Sequence, residues 1–170
     1  MKKGTKLILA ALVMMVSASG AFAQATATAT ATATIVTPIS ITKTVDMNFG
    51  NVAVQASTAG TVVLTPAGTR TSTGGVTLPA TTGTVAAASF TVNGEGAYTY
   101  AITLPSSALT ITSGANTMTV DVFTSTPSAT GALTAGTQTL NVGATLNVAA
   151  AQAAGVYVSA TPFSVTVNYN

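Results

Sequence analysis

Residues 86–104 read AAASFTVNGEGAYTYAITL and contain two alternating segments on either side of a turn sequence. In both segments apolar side chains occupy every second position, at Ala86, Ala88, Phe90, Val92, Tyr98, Tyr100, Ile102 and Leu104. A two-residue period is that of a half-buried β-strand. The intervening Asn93-Gly94-Glu95-Gly96 tolerates the positive φ that tight turns require. We therefore predict a β-hairpin that ends at Pro105.

Shorter segments with the same period lie on both sides of this stretch. They contain Phe49, Val52 and Val54; Val62 and Leu64; Val76 and Leu78; Leu109 and Ile111; Met118, Val120 and Val122; Leu140, Val142, Leu146 and Val148; and Tyr157, Phe163, Val165, Val167 and Tyr169. Gly and Pro punctuate the segments, and we expect a bulge or relief of the strand at Gly143. About eight to ten short strands at this spacing predict an all-β antiparallel sandwich or barrel.

The first 23 residues have the features of a secretory signal peptide. Lysines open the segment, residues 7–16 are apolar, and Ala21-Phe22-Ala23 is a small-x-small cleavage site, with cleavage after Ala25 as an alternative. An apolar stretch of about ten residues is short of the roughly twenty that a spanning helix needs. We predict export across a bacterial inner membrane of the Gram-negative type, without stable membrane insertion.

Export changes the charge of the chain. The full sequence carries five basic and three acidic residues, but residues 24–170 retain only Lys43 and Arg70 against Asp46, Glu95 and Asp121, a net charge of −1. Nucleic-acid binding needs clustered cations, so we expect no nucleic-acid partner. The sequence has no Cys, so its core or neighbouring subunits must stabilise the fold without disulfides.

Residues 25–34 alternate strictly between Ala and Thr and lead into Ile35. This period is typical of an extended strand, and Pro38 separates it from the first domain strand, predicted over residues 39–45. We therefore divide the chain into a signal peptide (1–23), an extended N-terminal arm (24–37) and a β-sandwich domain (38–170). The arm could pair with a neighbour's sheet. It could also be a flexible linker, or an edge strand of its own domain.

Four segments together resemble a known family. They are residues 34–44 (TIVTPISITKT), 46–50 (DMNFG), 139–148 (TLNVGATLNV) and 163–169 (FSVTVNY). Their order and spacing resemble small secreted domains of uncharacterised function akin to spore coat protein U and chaperone–usher pilus subunits. The resemblance spans nearly all of the chain beyond the signal peptide.

The resemblance implies an immunoglobulin-like sandwich that lacks its final strand. In such proteins a periplasmic chaperone first supplies a strand, and the arm of the next subunit then replaces it during assembly at an outer-membrane usher. Residues 25–37 resemble that donor arm, with Ala27, Ala29, Ala31, Ala33 and Ile35 as the inserted side chains. The acceptor groove and chaperone-facing last strand would present Phe163, Val165, Val167 and Tyr169.

The sequence offers little for catalysis or metal binding. It has no His, and its three carboxylates are isolated, so we predict no enzyme activity, catalytic residue, cofactor or metal site. Lys43 is the one candidate base for a Ser nucleophile, and Asp46 is interpreted as a turn or cap residue. The four Tyr residues are interpreted as core rather than as a sugar-stacking platform.

The function predicted from these features is that of a structural subunit of an extracellular pilus or surface fibre. The subunit would polymerise with itself by donor-strand complementation and would mediate adhesion at the cell surface. One alternative is a small outer-membrane β-barrel, although few aromatics and short strands disfavour it. Another is a stand-alone secreted β-sandwich that binds a ligand, such as a glycan or ice, through its Thr-rich faces, or acts as an adhesin.

Overall fold

The computed structural model of the 170-residue chain describes residues 23–170. The predicted signal peptide lies outside the described residues, except for Ala23. The chain divides into two units, residues 1–35 and 36–170. Residues 23–35 form no strand or helix, and their side chains are exposed, with Ile35 at 91%. All strands described below belong to the second unit.

Residues 36–170 contain fourteen strands and no helix. The strands are β1 (Ser40–Val45), β2 (Asn48–Phe49), β3 (Ala53–Val54), β4 (Gly60–Leu64), β5 (Arg70–Gly74), β6 (Val76–Thr77), β7 (Val85–Ala86), β8 (Ala88–Asn93), β9 (Thr99–Thr103), β10 (Leu109–Ser113), β11 (Asn116–Thr126), β12 (Thr130–Ala132), β13 (Thr137–Val148) and β14 (Thr166–Tyr169).

A seven-stranded sheet is organised around β13, which is twelve residues long. One edge of β13 pairs with β11, which continues to β10. The first half of its other edge pairs with β8, followed by β1, and the second half pairs with β4, followed by β5. Every pairing is antiparallel. β13 is long enough to pair with two different strands, one after the other, along the same edge.

A three-stranded sheet has the order β12-β9-β14, and two small ribbons pair β2 with β7 and β3 with β6. The unit is therefore all-β with several antiparallel sheets, an architecture consistent with a β-sandwich. This confirms the all-β, antiparallel class expected from the two-residue periods.

The predicted β-hairpin over residues 86–104 is wrong. Both strands exist, as β8 and β9, but β8 pairs with β1 and β13 whereas β9 pairs with β12 and β14. The turn between them carries the chain from one sheet to the other and bonds to Gly136 instead, through Gly94 N–H (2.9 Å) and Gly96 C=O (2.8 Å). Alternation reports which side chains face the core, and it is the same for strands in one sheet or in two.

The core explains why the two strands separate. Ala88 and Val92 from β8 and Tyr100 from β9 belong to one buried cluster that also contains Leu140 from β13. Tyr100 is completely buried, and its hydroxyl donates to Gln138 Oε1 at 2.7 Å. Burial raises the pKa of this phenol. Two facing sheets enclose these side chains more fully than a single hairpin could.

Two local predictions also differ from the structure. Val122, expected on the inner face, is 68% exposed with a φ of 45°, because the β11 register shifts between Asp121 and Thr124. Gly143 does not interrupt β13. It lies buried where a Cβ would overlap the Leu64 carbonyl, so its role is to permit close backbone approach.

Candidate functional site

The last strand, β14, has a partner on only one edge. Val167 lies opposite Ile102 of β9, but the Ile102 amide donates to the Ala129 carbonyl on the far side at 2.8 Å. Opposed residues of an antiparallel pair exchange both hydrogen bonds or neither, so the backbone N–H and C=O of Val167 point away from β9. By the two-residue period, those of Tyr169 point the same way. The outer edge of β14 thus presents unpaired strand groups.

An apolar groove of about 1120 Å³ lies beside the chain segments that lead to this edge. Residues 46–54, which follow β1, form one wall, and residues 152–163, which precede β14, form the other. The floor comes from β10, β11 and β13 and consists of Leu109, Ile111, Met118, Val120, Leu146 and Val148. β1 is also an edge strand. The groove therefore lies between the segment that follows one edge strand, β1, and the segment that precedes another edge strand, β14.

The groove lies over the second of the two hydrophobic core clusters. Val120, Leu146 and Val148 are buried members of the second core cluster, whereas Leu109 and Ile111 pack against it only half-buried. Val156 and Val158 on the second wall are 83% and 61% exposed. Exposed apolar area costs roughly 25 cal/mol per Å² relative to burial, so covering this floor would stabilise the domain.

Arg70 of β5 holds the first wall in place. Its guanidinium donates to the carbonyl oxygens of Phe49, Asn51 (2.7 Å) and Thr82 (3.3 Å). The Asn51 amide adds a bond to the Thr82 carbonyl at 2.7 Å. A planar guanidinium can satisfy several fixed acceptors at once, so this one side chain joins the wall to the neighbouring loop.

A second set of hydrogen bonds fixes Thr37, the residue before Pro38. Glu95 Oε2 accepts from the Thr37 amide (3.1 Å) and hydroxyl (2.8 Å), and Tyr169 Oη donates to the Thr37 carbonyl (2.8 Å). Tyr169 Oη also accepts from the Glu95 amide at 2.6 Å. The Thr37 amide, and secondarily its hydroxyl, lower the pKa of Glu95. Gly94 makes the contact possible, because a Cβ there would overlap the Tyr169 hydroxyl.

The structure places the predicted acceptor residues around the first core cluster. Val167 is 7% exposed, and Phe163, Val165 and Tyr169 are partly buried against that cluster. The Phe163 ring lies 5.1 Å from the Phe123 ring, centroid to centroid, and also lines the groove. Only Val167 and Tyr169 lie within β14, so the last strand is shorter than the predicted alternation.

The predicted donor residues lie in the first unit. Ala27, Ala29, Ala31, Ala33 and Ile35 are exposed and belong to no strand. Sequence reasoning missed the groove wall over residues 46–54 and its Arg70 anchor. The sequence contains one Arg and few other charges, and this could have indicated that Arg70 has a structural role.

Four of the five charged side chains among residues 23–170 have structural contacts. Lys43 pairs with Asp46 at 2.6 Å, and Glu95 and Arg70 bind backbone groups as described above. The predicted turn or cap role of Asp46 is taken instead by Asn48, whose Oδ1 accepts from the Gly50 amide at 2.8 Å. Of the four Tyr residues, Tyr98 is 47% exposed, and its ring lies 5.5 Å from the Tyr169 ring, centroid to centroid, with the two ring planes tilted by 58°.

Comparisons with known proteins add a family. Within residues 23–170 the structure has no helix of the length and hydrophobicity required to cross a membrane. Neither the curated proteins nor the solved structures contain a match to this chain. A family model does match residues 39–169, from the residue before β1 to the last residue of β14. The chain therefore belongs to the family described as Domain of unknown function (DUF4402).

Proposed function

We propose that this protein is a structural subunit of an extracellular pilus or surface fibre that polymerises by donor-strand complementation. Two observations carry the proposal: β14 has an unpaired outer edge, and the segment that precedes β14 forms one wall of an apolar groove. A second copy supplies the missing strand from its N-terminal arm. The domain is in this view an immunoglobulin-like sandwich that is incomplete until a neighbour adds that strand.

The backbone of the acceptor supports this assignment. An inserted strand pairs with the outward N–H and C=O groups of Val167 and Tyr169 and continues along the groove between its two walls. Each new backbone hydrogen bond contributes about 0.5–1.5 kcal/mol. Insertion also covers the half-buried floor residues Leu109 and Ile111, which adds a hydrophobic contribution.

The arm has the matching properties. Residues 25–34 alternate between Ala and Thr, so an inserted arm directs Ala27, Ala29, Ala31 and Ala33 to the floor and Thr to solvent. Ile35 is the largest side chain on the same face. Because Ala fills little space, the joint depends mainly on backbone pairing and on the length of the arm.

Export and assembly complete the proposal. The signal sequence directs the chain to the periplasm, where a chaperone covers the groove with one of its own strands before an usher exchanges it for the arm of the next subunit. An uncovered groove and strand edge would favour aggregation, so a temporary partner is needed. The assembled fibre is located at the cell surface.

Peptide complementation tests the proposal directly. A chain lacking residues 24–37 keeps the groove but has no arm, and a synthetic peptide with the sequence of residues 24–37 should restore the missing strand. At one hundred times its Kd, the peptide should stabilise the domain by about 2.7 kcal/mol in thermal unfolding. The control is a peptide of the same composition with its Ala and Thr residues grouped in pairs, which destroys the period. Equal stabilisation by both peptides, or fibres from the arm-deleted chain, would contradict the proposal.

A further inference from the structure

The outer face of the seven-stranded sheet, the side turned away from the core, is lined by threonine. The register of five adjacent strands places one polar side chain from each in a single row, formed by Thr73, Thr61, Asn147, Thr119 and Thr110. Strands lie about 4.8 Å apart, so the row is about 19 Å long. We call this the threonine row.

Further rows run parallel to it on the same face. Two residues along the strands, the next row contains Thr71, Val63, Thr145 and Asp121. On the other side Thr112 and Thr117 pair, and nearer β1 the side chains of Thr42, Thr91 and Thr139 form a row across three strands. The first three rows are about 7 Å apart, because alternate residues share a face, whereas Thr139 lies six residues, about 20 Å, from Thr145 along β13. The three adjacent rows form a two-dimensional array made mostly of hydroxyl and methyl groups.

The threonine row is held by its own hydrogen bonds. The hydroxyls of Thr61 and Thr73 lie 2.8 Å apart, and Asn147 Nδ2 donates to Thr119 Oγ1 at 3.4 Å. A shallow depression of about 530 Å³ opens beside it, lined by Thr61, Thr119 and Asn147 among others. β-branched side chains on paired strands have few rotamers, so the groups are preorganised.

The charge of this face restricts its partner. Asp121 is the one charged residue in the four rows, whereas about a quarter of the residues in an average protein are charged. Lys43 is engaged by Asp46 and Arg70 by backbone carbonyls, so neither directs a free cation to the rows. An anionic polymer would find no counter-charge here. The face complements a surface that is itself neutral and rich in hydroxyl and C–H groups.

We propose that the outer face binds a neutral, insoluble polysaccharide, whose regular array of hydroxyls and C–H groups matches a regular array of threonine. Each Thr supplies a hydroxyl that donates and accepts and a methyl for apolar contact. Exposed aromatic platforms are absent from the four rows. The interaction therefore depends on many small contacts with a rigid lattice, not on stacking of a single sugar ring.

A second copy of the chain is a less suitable partner for this face. From strand spacing, the patch made by the threonine row and the two rows next to it covers on the order of 400 Å². Stable protein interfaces bury about 800 Å² per partner. Binding through one patch is correspondingly weak. This inference rests on the proposed function in one respect, because a fibre that repeats the patch along its length provides the avidity.

Binding to microcrystalline cellulose and to chitin powder tests the inference, with the purified exported protein coupled at high density to beads. Coupling supplies multivalency whether or not the chain polymerises. The variant T73K/T119K places two cations in the threonine row. T103K/T130K adds the same charge on exposed strand positions of the three-stranded sheet and is the matched control. We expect T73K/T119K to lose at least tenfold in binding and the control to bind like the unmodified protein.

The outcomes separate this inference from the proposed function. Loss confined to T73K/T119K supports the inference, and electron microscopy of the uncoupled variants reports fibre formation independently. Absence of binding by the unmodified beads to both solids overturns it, as does equal loss in both variants. If T73K/T119K instead abolishes lateral bundling of fibres while neither solid is bound, the partner is a second copy, and the inference is again overturned.

Discussion

β13 and β14 carry the same alternation of apolar and polar side chains but have different neighbours. β13 is twelve residues long, has partners along both edges and buries every inward side chain from Leu140 to Val148. β14 is four residues long and has a partner on one edge. The chain segment that precedes it, residues 152–163, lines an open groove. β13 therefore has neighbouring strands on both edges, whereas β14 has a neighbouring strand on one edge only.

The difference shows what remains to be satisfied in this fold. The backbone of β13 bonds to strands of the same chain on both edges, and its inward apolar side chains are buried. The outer backbone edge of β14 has no partner strand, and the segment that precedes β14 lines a groove over the second core cluster. A partner strand would add to β14 what β11 already provides to β13. The predictions below test this contrast, in order of decreasing expected effect.

Truncation of the core should cost more at β13 than at β14. Leu140 is completely buried, so Leu140→Ala should lower the free energy of unfolding by about 2–5 kcal/mol. Val167→Ala removes less buried surface beside an open edge and should cost about 1–2 kcal/mol. Urea denaturation of both variants measures the difference. Equal losses would mean that β14 is as fully enclosed as β13.

The groove wall should depend on the guanidinium of Arg70. Arg70→Met keeps an unbranched apolar side chain but removes the guanidinium and its bonds to the three carbonyls, and we expect a loss of about 2 kcal/mol, since hydrogen bonds to charged groups contribute about 1.5–3 kcal/mol. Arg70→Lys keeps the charge without the planar fork and should recover part of it. Faster hydrogen exchange of the Asn51 amide would report loosening of the wall. Unchanged exchange in Arg70→Met would contradict this role.

The arm should show a two-residue parity in polymerisation. Ala31→Arg places a charged side chain towards the groove floor and should slow fibre formation at least tenfold, equivalent to about 1.4 kcal/mol. Thr30→Arg, one residue earlier, directs the same side chain to solvent and should polymerise normally. Sedimentation of the assembled material measures both. The same defect in both variants would exclude an inserted, alternating strand.

The hydrogen bonds at Thr37 should make a small contribution that depends on pH. Because the Thr37 amide and hydroxyl lower the pKa of Glu95, any stability from this carboxylate is present above the unfolded pKa of about 4.3. It is lost as the pH falls through the lower folded value. Thr37→Ala removes the hydroxyl donor but keeps the amide, so it should raise the Glu95 pKa part of the way, as measured by NMR titration. An unchanged midpoint would show that the hydroxyl contributes nothing.

Particular residues show how far sequence analysis reached. Alternation correctly placed Val92, Tyr100 and Leu140 in the core, and Gly and Pro correctly separated most strands. The hairpin and the inward position of Val122 were wrong, because each depends on the partner of a strand. The last strand was expected from its apolar alternation, and Val167 and Tyr169 of that pattern lie within β14. The wall held by Arg70 was not, since its acceptors are backbone carbonyls without a sequence signature.

The amino-acid sequence by itself determined the all-β class and the inward face of most strands. These properties are local, because the two-residue period and the conformational limits of Gly and Pro act within a few residues. The tertiary structure alone decided that β8 and β9 lie in different sheets, that β13 serves two neighbours along one edge and that β14 keeps a free edge. Strand pairing joins residues far apart in the chain, and the free energy of the assembled core selects it.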